Sequence, residues 1–335
     1  MKIINKISNY FFYLLSLIFN KIFLNTRILN KRKVVSGINH FFTYKMRPKQ
    51  TNKIYIDKLT LNENNQDLIN DTAIIIQGPL ELDEDFTLNT INYYSKIINP
   101  QNIILSTWIG ENETILKKIN ELGVNIIENT KPKNFGYKNC NLQIISSING
   151  IKLAKKKGFK FVIKTRTDQR IYNSNFLSFL HDFLNTFKKP THINMKNRLV
   201  GISFMTFKKR VYGLSDMFLF GNIDDVYLYW DTKLDERKHD EMHKLLMTGK
   251  SIKELNLVEV YFMTEFLKKV ENNFDINNNQ MKQIFAKYFC IIDKDMIDLF
   301  WFKYNNLEEK SDEYSSNLEW KEFKFSEWLK YYNQI

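Results

Sequence analysis

The side chains best suited to chemistry in this chain are Asp168 and the two arginines beside it, Arg166 and Arg170. They follow a short apolar segment, residues 159–163, at which the sequence turns abruptly polar. A carboxylate can hold a divalent cation, and guanidinium groups bind phosphate oxygens bidentately. The pattern therefore predicts a site for a metal-bound diphosphate. An ordinary ion pair at the end of a strand is the alternative.

Arginine is rare in this chain, with eight residues against 41 lysines, and five of the eight lie between Arg166 and Arg237. A planar guanidinium offers a fixed fork of N–H donors that lysine lacks. Where lysine is the default cation, an arginine more often marks a position that needs this fork. The distribution of arginine therefore supports a binding site at residues 166–170.

The net charge of +12 belongs mainly to the N-terminal arm. Residues 1–50 contain ten Lys and Arg and no acidic residue, whereas the remaining 285 residues carry 39 basic and 37 acidic groups. Because the body of the protein is nearly neutral, no nucleic-acid partner is expected. The two cysteines, Cys140 and Cys290, form no metal-binding spacing and no disulfide framework, which favours a reducing compartment.

The basic arm is also apolar, with an apolar stretch over residues 10–19 that is too short to span a bilayer. An amphipathic helix with several lysines is typical of a segment that lies on an anionic membrane surface. We therefore expect residues 1–50 to attach the protein peripherally to the inner, cytoplasmic face of the cytoplasmic membrane. A signal peptide and a helix packed on the protein's own core are the alternatives. Residues 51–70 are interpreted as a linker.

The rest of the chain predicts an α/β fold. Short apolar segments at 73–76, 103–108, 124–127 and 159–163 alternate with helical patterns at 88–98, 115–122 and 142–154. This succession predicts a mostly parallel sheet with helices on both faces. We assign residues 71–270 to a catalytic domain, with a nucleotide-sugar half at 71–170 and an acceptor half at 171–270. Residues 271–335 are expected to form a mainly helical C-terminal region.

Ligands of open α/β sheets bind beyond the carboxyl ends of the strands. Polar and small residues at these ends are predicted to line a nucleotide crevice, and Gln77 and Gly78 are the candidates to contact a base or ribose. Asn139 and Asn141 lie at the start of a helix, where free N–H groups bind phosphate or sugar oxygens. A simple helix cap at Asn139 is the alternative. The complete set of candidate binding residues is Gln77, Gly78, Pro79, Thr107, Asn139, Asn141, Lys164, Arg166, Asp168 and Arg170.

Four motifs in this order resemble the WavE-type lipopolysaccharide synthesis family. They are I-I-I-Q-G-P at 74–79, N-x-Q-x-x-S-x-x-x-G-I-x-x-A at 141–154, F-V-I-K-T-R-T-D-Q-R at 161–170 and L-S-D-M-F-L-F-G at 214–221. The resemblance covers about residues 72–270. It implies a GT-A-like glycosyltransferase fold, in which an Asp-any-Asp motif at a strand end holds Mn²⁺ or Mg²⁺.

Under this resemblance, Asp168 is the metal-binding carboxylate, and Arg166 and Arg170 lie beside the diphosphate of a nucleotide sugar. Arg166 occupies the place of the first Asp of the family's usual pair, so only one carboxylate remains. Either a single Asp holds the metal weakly or Arg166 stands in for it. Both arrangements would stabilise the charge on the leaving nucleoside diphosphate.

A transferase that inverts the sugar also needs a carboxylate to take the proton of the acceptor hydroxyl. Asp216 is the first candidate because Ser215 and Asp216 precede an apolar segment at 217–220. A turn cap is its alternative role. Glu259 and Glu265 are the second candidates, with solvent-exposed helix positions as the alternative.

These observations predict an enzyme that moves a sugar from a nucleotide-diphosphate donor to a lipid-linked acceptor or to a lipopolysaccharide or capsular polysaccharide. A sugar nucleotidyltransferase is the second hypothesis, although no glycine-rich basic loop follows the first strand. A non-catalytic, membrane-associated assembly protein is the third, because one of the two Asp residues of the metal motif is missing.

Overall fold

The computed structural model describes residues 66–237, 258–271, 273–274, 278–302 and 321–335, and all of these belong to one compact unit. The predicted membrane arm, residues 1–50, and most of the predicted linker lie outside the described residues. None of the helices within the described ranges is long and apolar enough to cross a membrane.

Helices and strands alternate through the first half of the fold. The helices are α1 (Gln66–Asn70), α2 (Phe86–Tyr94), α3 (Glu113–Glu121), α4 (Cys140–Lys156), α5 (Phe176–Thr186), α6 (Ile223–Trp230), α7 (Val258–Val270), α8 (Asn278–Tyr288) and α9 (Phe325–Tyr332). The strands are β1 (Thr72–Gln77), β2 (Ile103–Trp108), β3 (Asn125–Asn129), β4 (Phe161–Arg166), β5 (Gln169–Ile171), β6 (Leu199–Ile202), β7 (Leu219–Asn222), β8 (Phe289–Ile292) and β9 (Leu299–Trp301).

Seven strands form the main sheet in the order β3-β2-β1-β4-β7-β6-β8. Strands β1 to β4 are mutually parallel, β6 and β8 are parallel, and β7 runs antiparallel to both of its neighbours. The predicted α/β class, with a mostly parallel sheet and helices on both faces, is confirmed. The sheet is central because every residue of β1, β2, β6 and β8 is buried.

Helices cover both faces of the sheet, as the continuous apolar strands predict. A Cβ added to Gly150 of α4 would lie 2.5 Å from Ile75, so this glycine allows α4 to pack closely on β1. On the opposite face, Nε2 of His181 in α5 lies 2.8 Å from the hydroxyl of Thr72. Neighbouring residues of a strand point to opposite faces of the sheet, so Thr72 and Ile75, three residues apart, lie on opposite faces. Helix α4 therefore covers one face of the sheet and α5 covers the other.

Among its described residues, the region after residue 271 is mainly helical, as expected, and it also contributes two strands. Strand β8 forms one edge of the main sheet, where it pairs with β6. Strand β9 pairs with β5 in a separate two-stranded antiparallel sheet, with Trp301 opposite Gln169. The C-terminal residues therefore complete the α/β fold and reach the end of β4.

The carboxyl ends of the four parallel strands meet at one edge of the sheet, as predicted. Gln77 at the end of β1 lies opposite Ser106 of β2 and opposite Arg166 of β4. Trp108 and Asn129 are paired at the ends of β2 and β3. This register brings residues from four distant segments together at the edge where the crevice is expected.

Candidate functional site

Arg166 and Asp168 form a bidentate ion pair at the carboxyl end of β4. Nε of Arg166 donates to Oδ1 of Asp168 over 2.9 Å, and Nη2 donates to Oδ2 over 2.9 Å. The indole Nε1 of Trp301 donates to the same Oδ2 over 3.0 Å. The Asp168 side chain is only 8% exposed, whereas the Arg166 side chain is 22% exposed. The arginine is therefore the member of the pair that meets solvent at the sheet edge.

Two distant segments hold the turn between β4 and β5 in place. The N–H of Thr167 donates to the carbonyl of Gln77 over 3.1 Å, which ties the turn to the end of β1. The N–H of Phe302 donates to the carbonyl of Asp168 over 2.9 Å. The guanidinium carbon of Arg166 lies 5.6 Å from the centre of the Trp301 ring. Backbone and side-chain contacts together fix the orientation of the ion pair.

The oxygens of Asp168 do not form an open donor set for a divalent cation. A carboxylate has about four lone-pair sites, and the hydrogen bonds from Arg166 and Trp301 occupy three of them. The positive charge of Arg166 would also repel a cation at this carboxylate. Within the described part of the chain, no group of three or more His, Cys, Asp and Glu side chains could share a metal ion. The Mg²⁺ or Mn²⁺ expected at Asp168 does not fit these residues.

Arg170 does not lie beside Arg166, although the sequence predicts both next to a diphosphate. Arg170 is 1% exposed, and its guanidinium faces α2. Its Nε donates to the hydroxyl of Thr90 over 2.9 Å and its Nη2 to the carbonyl of Phe86 over 3.2 Å. The guanidinium carbon lies 4.5 Å from the centre of the Phe86 ring. These contacts make Arg170 an interior residue that joins β5 to α2.

Lys164 is also enclosed, because it lies on the face of β4 that packs against α6. Its ammonium group donates to the backbone carbonyl of Asp216 and lies 4.5 Å from the centre of the Trp230 ring. Burial lowers the pKa of Lys164 to about 7. The contacts of Lys164 connect the end of β4 to the segment before β7. They do not place its ammonium group where it would bind the donor, as the sequence predicts.

Gln77, Gly78 and Pro79 follow β1 at the same edge as Arg166. The side-chain oxygen of Gln77 accepts a hydrogen bond of 2.7 Å from Ser146, so α4 orients its amide. Gly78 has a φ of +123°, and a Cβ there would lie 2.9 Å from the hydroxyl of Thr167. Only glycine therefore lets the chain pass so closely over the turn after β4. Pro79 is exposed.

Thr107 lies near the end of β2 and is fully buried. Its hydroxyl has no hydrogen-bond partner among the described residues. A buried polar atom without a partner costs free energy. Thr107 is therefore a buried polar position near the strand ends, but no contact links it to Arg166.

The two candidate asparagines at the start of α4 have different surroundings. Asn139 is exposed and has a left-handed backbone with φ of +64°, and its side chain makes no capping hydrogen bond. The side-chain amide of Asn141 is buried and donates to the carbonyls of Asn134 and Asp235 over 3.0 and 2.8 Å. Asn141 therefore holds two loops together, whereas Asn139 faces solvent.

Asp216 and Glu259 belong to one charged cluster that also contains Arg210. Asp216 is half-buried, and Nη1 of Arg210 lies 3.0 Å from the carboxylate of Glu259. Burial raises the pKa of Glu259, the charge of Arg210 opposes this rise, and the negative charge of Asp216 adds to it. The backbone contact of Lys164 with Asp216 connects this cluster to β4.

Glu265 does not join this cluster. It pairs with Lys268 on the surface of α7 and lines a separate open crevice of about 1020 Å³. The crevice also contains a second bidentate pair, in which Arg237 contacts Asp235 over 2.7 and 2.9 Å. Of the two glutamates on α7, only Glu259 lies near Asp216.

A family model described as WavE lipopolysaccharide synthesis matches residues 72–335, which is most of the chain. The chain belongs to the WavE lipopolysaccharide synthesis family. The resemblance seen in the four motifs is thereby confirmed, and the WavE match also includes the C-terminal region that carries Trp301. No curated protein matches the chain.

Two solved structures are similar to this WavE protein at low sequence identity. A mannose-1-phosphate geranyltransferase from Thermus thermophilus is 10% identical, with a TM-score of 0.29, and the match covers 55% of this chain and 67% of that one. A cytidylyltransferase from Leptospira borgpetersenii serovar Hardjo-bovis is 11% identical, with a TM-score of 0.31, and the match covers 62% and 99%. TM-scores this low leave the activity of the WavE protein to be inferred from its own residues.

Sequence reasoning missed two residues of the site, Trp301 and Arg210. Trp301 hydrogen-bonds Asp168 from a strand that is 133 residues away in sequence. Arg210 lies in an irregular segment with no periodic pattern, and its contact is with Glu259 in another helix. The scarcity of arginine was the only signal that could have singled out Arg210.

Proposed function

We propose that this WavE protein is a glycosyltransferase that uses a nucleotide-diphosphate sugar and acts in lipopolysaccharide synthesis. The observation that carries the proposal is the guanidinium of Arg166, which is fixed by Asp168 and Trp301 at the carboxyl edge of a parallel sheet. Ligands of such sheets bind at this edge. A partly exposed, oriented guanidinium there suits the diphosphate of a donor.

The proposed reaction breaks the bond between the anomeric carbon of the sugar and the diphosphate oxygen. The oxygen leaves with the bonding electron pair, and the charge of Arg166 stabilises the negative charge that develops on the diphosphate. An acceptor hydroxyl forms the new bond to the anomeric carbon. Gln77 and the backbone at Gly78, at the same edge, are proposed to contact the nucleoside.

The acceptor hydroxyl must lose a proton as it attacks, and Asp216 is the proposed general base. Asp216 is half-buried and shares a cluster with Glu259 and Arg210. The Arg210 pair holds Glu259 in place, so Glu259 is the proposed second carboxylate on the acceptor side. Attack by the acceptor oxygen on the face opposite the leaving diphosphate inverts the anomeric carbon. Glu265 pairs with Lys268 in a different crevice and is given no role.

A sugar nucleotidyltransferase would have to bind a nucleoside triphosphate at the loop after β1. That loop carries four acidic residues between 81 and 85 and a single glycine, Gly78. Four carboxylates would repel a triphosphate rather than cradle it. The glycosyltransferase hypothesis is therefore preferred over the nucleotidyltransferase.

The acceptor is proposed to be a lipid-linked or polysaccharide intermediate at the inner face of the cytoplasmic membrane. The support is the basic, apolar sequence of residues 1–50 together with membership of a lipopolysaccharide synthesis family. Removal of residues 1–24 should release the protein from anionic vesicles in a flotation assay. Donor turnover should remain. Unchanged flotation of the shortened protein would contradict the membrane role.

The activity is tested by incubating the full-length protein with a panel of nucleotide sugars and membrane lipid extract. Release of nucleoside diphosphate with transfer of labelled sugar is the expected result. A parallel incubation with nucleoside triphosphates and sugar 1-phosphates tests the alternative, for which pyrophosphate would be released. Absence of turnover with every donor would favour a non-catalytic assembly protein and contradict the proposal.

A further inference from the structure

We infer that Arg166 replaces a divalent cation at the donor diphosphate, and that Asp168 is a positioning residue for Arg166 rather than a metal ligand. This inference rests on the proposed glycosyltransferase function. It assigns the binding of the nucleoside diphosphate to a side chain of the protein and predicts that this binding needs no metal.

The first argument is the geometry of Asp168. Both of its oxygens accept hydrogen bonds of 2.9 Å from Arg166, and Oδ2 also accepts one of 3.0 Å from Trp301. Oδ2 then has two donors, which is the number its lone pairs can serve. A cation that chelates both oxygens would have to displace a bidentate arginine and a buried indole, and the lone pair left on Oδ1 lies beside the positive charge of Arg166, which repels a cation. The carboxylate is arranged as an acceptor for these two residues.

The second argument is the shape of the guanidinium. Asp168 contacts the edge of Arg166 formed by Nε and Nη2. The Arg166 side chain is 22% exposed at the edge of the sheet, so a phosphate can reach the guanidinium while Asp168 keeps its contact. An arginine anchored through one edge is oriented before the ligand arrives, so less side-chain entropy is lost on binding.

The third argument is that Trp301 contacts both Arg166 and Asp168. Its ring centre lies 5.6 Å from the guanidinium carbon of Arg166, and its indole N–H donates a hydrogen bond to Asp168. A ring beside the guanidinium and a donor on the carboxylate restrict both side chains. Trp301 is 8% exposed, so it is held by its own surroundings. The three residues form one hydrogen-bonded and stacked unit whose guanidinium is partly exposed at the carboxyl edge of the sheet.

The fold contains a second Asp–Arg ion pair of the same geometry that does not lie at the carboxyl edge of the sheet. Asp235 and Arg237 form the same bidentate contact over 2.7 and 2.9 Å, and the Arg237 guanidinium lies 5.2 Å from the Tyr261 ring. This pair lines the separate crevice beside α7, not the end of β4. It therefore provides a control with the same chemistry at a different place.

The test measures binding of UDP, GDP, CDP, ADP and inorganic pyrophosphate to the full-length protein by calorimetry. Each titration is done with excess EDTA and again with Mn²⁺. The expected result is that at least one nucleoside diphosphate binds equally well, within about twofold in Kd, under both conditions. Arg166→Lys should weaken that binding by about tenfold or more because lysine lacks the fork. Arg237→Lys should leave it unchanged.

Two further variants keep the inference testable if Arg166→Lys is poorly folded. Asp168→Asn preserves the shape of the carboxylate but removes its charge, and it should weaken metal-free binding by about tenfold. Arg166→Asp restores two carboxylates, Asp-Thr-Asp, and should abolish binding in EDTA. Thermal melting of each variant reports whether it is folded.

The outcomes separate this inference from the proposed function. If nucleoside diphosphates bind, or donors turn over, only when Mn²⁺ is present, the role of Arg166 as the cation is overturned and the transferase remains. Metal-free binding that survives Arg166→Asp also overturns it. If no donor is turned over and no nucleoside diphosphate binds under any condition, the proposed function itself fails.

Discussion

The indole N–H of Trp301 donates a hydrogen bond of 3.0 Å to the carboxylate of Asp168, across 133 residues of sequence. This contact connects the C-terminal part of the chain to the end of the fourth strand. Because β9 pairs with β5 directly after Asp168, the indole is delivered to the carboxylate by regular strand pairing. The C-terminal region is therefore a structural part of the proposed donor site.

The first prediction concerns this hydrogen bond. Trp301→Phe keeps an aromatic ring beside Arg166 but removes the N–H on Asp168. A hydrogen bond to a charged group contributes about 1.5–3 kcal/mol, so the free energy of unfolding should fall by that order. The value of kcat/KM for the donor should fall by about tenfold or more. Urea unfolding and steady-state kinetics measure the two effects.

Trp230→Phe is the matched control for this substitution. Trp230 is also buried, but its indole N–H has no hydrogen-bond partner among the described residues. Both variants lose a similar ring area, and only the Trp301 variant loses a hydrogen bond. Equal losses of donor turnover in the two variants would show that ring size, not the contact with Asp168, is what matters.

The second prediction separates the two arginines that flank Asp168. Arg170→Lys removes a buried guanidinium that bonds Thr90 and Phe86, and lysine cannot reproduce its planar fork. The free energy of unfolding should fall by about 2–4 kcal/mol. The Kd for nucleoside diphosphate should not change in the folded protein. A variant with wild-type stability and weakened nucleotide binding would instead put Arg170 at the diphosphate.

The third prediction tests the proposed base. Asp216→Asn removes the proton acceptor while keeping the size of the side chain, so the rate of sugar transfer should fall by about 10²–10⁴-fold. Binding of the donor, measured by calorimetry, should stay the same. Asp224→Asn is the control because Asp224 is half-exposed on α6 and pairs with Lys155. Transfer by Asp216→Asn at the wild-type rate would exclude Asp216 as the base.

The sheet and its functional edge could be predicted from local patterns. The apolar segments 103–108 and 73–76 predict strands, and β2 and β1 agree with them to within one residue at each end. Helix α3 ends just before Gly123, whose φ of +83° stops the helix where the sequence predicts. Once the strands are known to be parallel, their carboxyl ends must lie at the same edge of the sheet. This is why Gln77 and Arg166 were expected at one edge.

The direction of individual side chains could not be predicted. Arg166 and Arg170 are four residues apart, which in one continuous strand would put both on the same face. Strand β4 instead ends at Arg166, and a new strand begins at Gln169 after a turn. The turn rotates the chain, so Arg170 faces α2 while Arg166 is partly exposed at the carboxyl edge of the sheet. No local pattern in a Thr-Asp turn specifies that rotation.

The long-range contact between Trp301 and Asp168 could not be predicted for a related reason. The residues that hold Asp168 from the C-terminal region lie in the segment Phe300, Trp301 and Phe302, whose sequence is typical of ordinary core packing. A strand of three residues has too few positions for an alternating pattern. Its partner, β5, is equally short. The pairing that brings Trp301 to Asp168 is a tertiary property of the folded chain.

The last prediction concerns the pH dependence of stability, through His181 in α5. Burial lowers the pKa of His181 to about 4, although the negative charges of Asp182 and Asp71 oppose this. The hydroxyl of Thr72 donates to the carbonyl of Leu68, so it accepts a hydrogen bond from a neutral His181. Between about pH 6.5 and 4 the unfolded chain binds a proton at this histidine that the folded protein does not. The fold should therefore lose about 2–4 kcal/mol as the pH falls through this window.

His181→Gln keeps a donor for Thr72 and removes the titration, so the slope of unfolding free energy against pH should flatten between about pH 4 and 6.5. Urea unfolding at several pH values measures the slope. His192→Gln is the control because His192 is exposed and should leave the slope in place. If the His181 variant and the wild type lose stability in parallel as the pH falls, the buried histidine is not the group responsible.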